Sequence, residues 1–374
     1  MRGAMRQLKI LLILLLFWVS NLQPLQTAGT LLHVPCKRVL FLDSKIGWIA
    51  GDDGLFKTRD GGLKWISLNK YLFSPYAQSD DLSELEDAFF INEGVGWVIL
   101  GYKKILKTMD GGLSWTDQTP IDPLIKDYKA NQFSRIKFID RNHGWILGKA
   151  LISMKVLPGQ VGVGADHGGL SQAFILRTSD GGQSWTKFDV DRTERFLNFQ
   201  FLDEKGGWLI GSQSINRTTD GGQTWVKQIS LKRPALRDLI FIGRKEAWAV
   251  GWWGTVFYSC DAGNQWIQQD LKTDYSFDSV FFADRETGWL TGSLLSGNND
   301  GILLATKDGG KKWELQYQEP RKTFNSFFID SQEGWLVISA HTTSHLPNEY
   351  RILHTSDGGR TWTVRYQSST SRGG

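Results

Sequence analysis

The chain has 374 residues, with 43 lysines and arginines against 39 acidic residues, 17 tryptophans and two cysteines. A net charge of +4 is too small for a general nucleic-acid binder, and two cysteines cannot frame a disulfide scaffold. The length would allow two domains, but an internal repeat assigns one.

Residues 1–28 read as a secretory signal peptide: Arg2, Arg6 and Lys9 precede an apolar run from Ile10 to Val19, followed by a polar stretch ending in small residues. The apolar run falls well short of the ~20 residues that span a bilayer. Cleavage after Ala28 removes three positive charges and no negative ones, which lowers the net charge to +1. The mature chain is therefore expected to be exported, with residues 30–367 forming the domain and 368–374 a flexible tail.

From Arg38 onward one short turn recurs seven times: Asp60-Gly61-Gly62-Leu63-Lys64-Trp65 returns at Asp110, Asp180, Asp220, Asp261, Asp308 and Asp357. Successive box tryptophans lie 50, 70, 40, 41, 47 and 49 residues apart, the length of a four-stranded propeller blade plus a variable loop. Each box is preceded by a Gly-Trp or Ala-Trp pair: Trp48, Trp97, Trp145, Trp208, Trp248, Trp289 and Trp335. In the first repeat Val39–Asp43, Trp48–Gly51, Leu55–Thr58 and Lys64–Ser67 read as strands A to D of an antiparallel meander. The fold class expected is an all-β, seven-bladed propeller.

The seven box aspartates read as structural, because a hairpin aspartate bonds its carboxylate to nearby amides and the glycines supply the turn angles. Calcium takes six to eight oxygens, and each box offers one carboxylate. The fifth box has Ala262 in place of the first glycine and is expected to be the most strained. Cys36 and Cys260 fall in the first and fifth repeats, too far apart around a ring for the ~7 Å Cα separation a disulfide requires; two structural free thiols are expected. The histidines form no ligand cluster, so neither a metal nor a cofactor is expected.

In such a meander the D-to-A and B-to-C connections share one face. All the insertions are of these kinds, Asn69–Glu86, Asp117–Phe133, Ala150–Ala173, Asp189–Phe196, Ser293–Asp300 and Ser339–Tyr350, which directs the search for a binding surface to that face. Just ahead of the inner strands stand Lys37, Arg38, Arg135, Arg192, Arg195, Arg233, Arg237, Arg321 and Lys322, while blades 2 and 6 supply Glu84, Glu86, Asp87, Asp274 and Asp278. One reading is a basic sector in blades 3 to 5, through Arg135, Arg192, Arg195, Arg233 and Arg237, suited to an acidic peptide or a carboxylate terminus; the other is arginines that are solvated or cap neighbouring strands. Trp252 and Trp253 lie outside the repeat at a B-to-C turn on the same face, where they either stack on a partner or plug the channel mouth.

Taken together, the Gly-Trp strand and box, as in Gly207-Trp-Leu-Ile-Gly211 followed by Arg217-Thr-Thr-Asp-Gly-Gly-Gln-Thr-Trp225, resemble the photosystem II assembly and stability factor family over nearly the whole mature chain. The resemblance implies a non-catalytic propeller exported to the thylakoid lumen or periplasm that assists early assembly of the D1 reaction-centre protein, with Arg192, Arg195, Arg233 and Arg237 matching the family's arginine-rich patch. The partner implied is a membrane-protein subunit or its exposed peptide segment, bound by a monomer peripheral to the membrane and without nucleic acid. The insertion Ala150–Ala173 and the lack of a lipid-attachment cysteine depart from the family. An extracellular or periplasmic envelope protein binding protein or carbohydrate through Trp252 and Trp253 is the alternative. A glycoside hydrolase is a further one, but the early Arg-Ile-Pro-type motif of sialidases is missing.

Overall fold

The computed structural model describes residues 36–51, 54–73, 84–120, 131–151, 171–190, 194–233, 235–295, 300–320, 322–340 and 350–367. They form seven four-stranded antiparallel sheets, each built from strands consecutive in the chain. The inner strands A are Cys36–Phe41, Leu85–Phe90, Asn131–Phe138, Phe196–Phe201, Leu236–Ile242, Tyr275–Phe282 and Lys322–Phe328, and they pack against one another around a central channel. Blade 7 takes all four strands from the end of the chain and blade 1 all four from its beginning, so the ring closes without exchanging a strand. The only helix among the described residues is α1, Asn69–Leu72, in the first D-to-A link. The signal segment, the tail and most of the inserted residues lie outside the described residues.

Side chains close the ring. Six strands A end on a phenylalanine, and that of blade 5 on Phe241-Ile242, beside the Gly-Trp or Ala-Trp pair of strand B, and each of these phenylalanine rings receives the tryptophan of the preceding blade. Trp335 of blade 7 stacks on Phe41 of blade 1 at 3.6 Å and 6°, and Trp97 meets Phe138 at 3.6 Å and 10°. The seven tryptophans are at most 3% exposed; an aromatic of this size buries ~150–250 Å², so each junction contributes several kcal/mol at ~25 cal/mol per Å², as an upper bound.

The glycine of Gly-Trp has a steric reason. A Cβ on Gly47 would sit 2.4 Å from the Phe41 ring, and on Gly334 2.3 Å from Phe328. Without the Cβ, the ring lies flat against the backbone of its own blade while the neighbouring indole covers its other side. Blade 5 has Ala247 at this position, and there the Trp208–Phe241 pair is tilted by 37°. At four junctions the indole N–H also donates to the carbonyl of the next blade's first box glycine: Trp97 to Gly181, Trp145 to Gly221, Trp289 to Gly358 and Trp335 to Gly61, at 3.0–3.2 Å.

Each box is saturated by its own hairpin. Thr58 Oγ1 donates to Asp60 Oδ1 at 2.9 Å and accepts from the Gly62 amide at 2.9 Å, while the Lys64 amide donates to Asp60 Oδ1 at 2.9 Å. The same pattern recurs around Asp110, Asp180, Asp220, Asp261, Asp308 and Asp357. Burial raises the Asp220 carboxyl, but the hydroxyl and amide of Thr224 and the hydroxyl of Thr218 outweigh it and hold it down to about 2. The hydroxyl and amide of Thr361 likewise lower Asp357 to about 2. In the fifth box Ala262 adopts φ +63°, the left-handed region that a Cβ disfavours. Cys260, expected to be structural, is instead an exposed free thiol, because it occupies the box position that faces outward in every repeat.

Candidate binding face

The channel is lined by the residue three places before the closing phenylalanine of each strand A. In blades 1 to 6 a register shift in the A–B pairing lies just ahead of this residue or at it. The resulting ring is Arg38, Asp87, Arg135, Asn198, Asp238, Ser279 and Asn325. Arg38 Nε bonds Asp87 Oδ1 at 2.6 Å, and the Ile136 amide of the next blade donates to Asp87 Oδ2 at 2.9 Å. Asp238 accepts from Asn198 Nδ2 at 2.7 Å, from Ser279 Oγ at 2.8 Å and from the Val280 amide at 3.1 Å. Both ring carboxylates are therefore occupied in joining blades, and the ring forms a polar septum across the channel.

On the insertion side of this septum two cavities meet at Arg135. A mouth of about 170 Å³ is lined by Arg38, Arg135, Arg237, Asp278 and Asn325. Beside it a groove of about 410 Å³ runs across blade 3 from blade 2 to blade 4, lined by Glu86, Tyr102, Arg135, Lys149, Glu194 and Arg195 among others. Burial, then the like charge of Arg38, lower the Arg135 pKa; its Nη1 donates to the Ser134 carbonyl at 2.7 Å and lies 4.0 Å from Glu86 Oε1. Glu194 is committed elsewhere, accepting from the Ser214 hydroxyl at 2.5 Å and from the Gln213 amide. Arg195 is exposed and makes no ion pair among the described residues.

Of the residues singled out by sequence, the fold thus brings Arg135 and Arg195 together in the groove, and Arg135 and Arg237 together at the mouth. Arg237 is engaged: its Nε is 3.5 Å from Asp278, and its guanidinium lies over Trp252 at 4.8 Å. Arg233 is exposed on the link into strand A of blade 5 and lines neither cavity. Arg192 lies outside the described residues.

Trp252 and Trp253 are surface residues, 38% and 55% exposed, packed edge to face at 5.7 Å. Neither lines the mouth. Trp253 adopts φ +56°, a conformation that costs a non-glycine residue about 1–3 kcal/mol, and its amide donates to the Ser276 hydroxyl at 3.2 Å. An exposed indole held in a strained turn is a reason to look for a surface role there.

Sequence reasoning did not reach Tyr102, Lys149 or Glu194, which line the groove from the B-to-C turn of blade 2, strand B of blade 3 and the D-to-A link into blade 4. Their signal was position, since each stands at the insertion-face end of blades 2 to 4, next to arginines already singled out. Among the described residues no cluster of side chains could hold a metal ion, and no helix is long and apolar enough to cross a membrane.

The family model described as "Photosynthesis system II assembly factor YCF48" matches residues 177–274 and 262–371, together 177–371, just over half of the 374 residues. A structure of YCF48 bound to a D1 peptide is similar at 20% identity and a TM-score of 0.53, covering 75% of this chain and 80% of that one. YCF48 from Cyanidioschyzon merolae is similar at 17% identity and a TM-score of 0.54, covering 75% of this chain and 84% of that one. An ancestral GH74 enzyme aligns at 13% identity and a TM-score of 0.53, covering 94% of this chain but 56% of its own. At these identities the likenesses carry the fold alone. No curated protein sequence matches the chain.

Proposed function

We propose, for a chain that belongs to the photosynthesis system II assembly factor YCF48 family, that it is a non-catalytic scaffold holding a membrane-protein segment during assembly. The observation that carries this reading is the convergence of Arg135 and Arg195 on one groove, with Arg195 free of any ion pair among the described residues and the exposed Trp252–Trp253 pair on the same face. Arginines at an open groove suit the carboxylates of an acidic segment, and exposed indoles suit apolar side chains between them. The D1 peptide held by the YCF48 relative makes a reaction-centre segment of the D1 kind the first partner to try. Export through residues 1–28, to a periplasm, thylakoid lumen or cell exterior, and a monomer peripheral to the membrane belong to the same proposal. Non-catalysis fits the carboxylates at the channel, since Asp87 and Asp238 are spent on bonds between blades.

The test is affinity capture from solubilised membranes of the host, with the protein set beside its Arg195→Glu/Arg237→Glu variant. Recovery of a reaction-centre subunit that falls about tenfold in the variant, with circular dichroism unchanged, supports the reading. No such subunit, or equal recovery by both proteins, overturns it. The exposed tryptophans also favour a second reading, an envelope protein binding carbohydrate, for which Trp252→Ala/Trp253→Ala should abolish retention on the host's envelope glycans while the arginine variant retains it.

A further inference from the structure

Beyond the polar septum, toward the A-to-B turns, the channel changes character. The residue just before the closing phenylalanine of each strand A is Leu40, Phe89, Lys137, Gln200, Ile240, Phe281 or Phe327. Five are apolar, and Gln200 Oε1 accepts from the Phe241 amide at 3.1 Å. The seventh is a lysine. Lys137 lines a cavity of about 480 Å³ whose walls include Phe89, Ile240, Phe281 and Phe327, whose inner end includes Arg38, Asn198, Asp238, Ser279 and Asn325, and which reaches Ile139 at the turn face.

No carboxylate among the described residues pairs directly with Lys137. Its ammonium lies 5.7 Å from the centre of the Phe199 ring and makes no ion pair among the described residues. The charged groups acting on it are Arg38 of blade 1 and Arg135 of its own strand, with Asp87 and Asp238 opposing them, and Arg135 in turn faces Glu86 at 4.0 Å. Both carboxylates are engaged elsewhere: Asp87 by Arg38 and the Ile136 amide, Asp238 by Asn198, Ser279 and the Leu239 and Val280 amides. The Lys137 ammonium is thus left without a direct ion pair among the described residues inside an aromatic-walled cavity, an arrangement that a bound anion would relieve. Volumes of this order hold small molecules, whose apolar bodies meet the walls while few polar groups set orientation.

We infer that this half of the channel binds a small amphiphilic monocarboxylate, its carboxylate paired with Lys137 Nζ and its apolar body lying against Phe89, Phe281 and Phe327. Of the two cations lining the cavity, Arg38 pairs with Asp87 and Lys137 makes no ion pair among the described residues, which suits a single carboxylate. The site faces away from the groove proposed for the protein partner and stands or falls independently of it. Burial, then the neighbouring Arg38, lower the Lys137 pKa to about 8, so the ammonium predominates at neutral pH and is lost as the pH rises through that value.

The experiment is calorimetric titration of the purified protein with 4-phenylbutyrate, with 4-phenylbutanol as its uncharged counterpart, repeated on Lys137→Met. The acid is expected to bind with a Kd on the order of 1 mM and the alcohol at least about tenfold more weakly. Lys137→Met should weaken the acid about tenfold, and so should raising the pH of the wild type to about 9.5. Removing a half-buried ammonium that makes no ion pair among the described residues should leave the thermal midpoint unchanged or raise it, so lost binding in a folded variant is attributable to the ammonium. No binding by the wild type up to about 20 mM, acid and alcohol bound alike, or undiminished binding by the folded variant overturns the inference.

Discussion

The two faces of the disc are made from the same blades and differ in what they leave unfinished. On the box face, each aspartate spends its carboxylate on its own hairpin, the amide of each second box glycine donates to a threonine or serine hydroxyl, and four box carbonyls receive an indole from the preceding blade. On the insertion face, Arg195 has no ion pair among the described residues, two indoles are exposed, and Trp253 is held at positive φ. Where the repeat is kept, its carboxylates and turn amides satisfy one another; where it is broken, side chains are available to something else. Stability should therefore follow the first face and partner binding the second, and the two should be separable by mutation.

The largest effect is expected at ring closure. Trp335→Ala removes the stack on Phe41 and the bond to the Gly61 carbonyl, and should cost about 3–5 kcal/mol in denaturant unfolding. Trp208→Ala should cost about 1 kcal/mol less, because its pair is tilted and its indole N–H has no partner. Equal costs would mean that glycine at the Gly-Trp position does not govern the stack. Next comes the Arg195→Glu/Arg237→Glu pair, expected to reduce partner capture about tenfold, or ~1.4 kcal/mol, with an unfolding midpoint close to wild type.

Acid should act on the box face. Hydrogen bonds hold Asp220 and Asp357 down to about 2, and they lower Asp110, Asp180, Asp261 and Asp308 as well. Folded-state values below the unfolded ~3.9 mean stability that is fully present above pH ~4 and is lost as the pH falls through about 2. Denaturant midpoints should thus be flat above pH 4 and fall steeply between about 4 and 2. Asp220→Asn should make that fall shallower; an unchanged slope would remove the box carboxylates from the explanation.

The same division governs what could be read before the structure. Blade number and strand order were legible because the Asp-Gly-Gly turn and the Gly-Trp pair recur, and strain in the fifth box followed from Ala262 alone. The role of the closing phenylalanines was not legible, since Phe41 meets Trp335 across 294 residues of chain. Nor was the pairing of Arg38 with Asp87 or Arg237 with Asp278: the residues were visible as charges near a channel mouth, but which charge faces which is set by the spacing between blades. Lys137 carried a signal that went unread, one lysine in a register position otherwise filled by apolar residues and Gln200.

Two glycine substitutions give the smallest stability effects and the sharpest contrast between the faces. Ala262 and Trp253 both sit at positive φ, +63° and +56°, and glycine adopts that region without the Cβ penalty. Ala262→Gly should raise stability by about 1 kcal/mol and leave partner capture unchanged, because the fifth box contributes only to the fold. Trp253→Gly relieves the same kind of strain and exposes less apolar surface, so it should stabilise as well, yet partner capture should weaken severalfold because the indole is lost. If Trp253→Gly stabilised the protein and captured as well as wild type, the strained indole would be no part of the recognition surface. The arginines of the groove would then carry the partner alone.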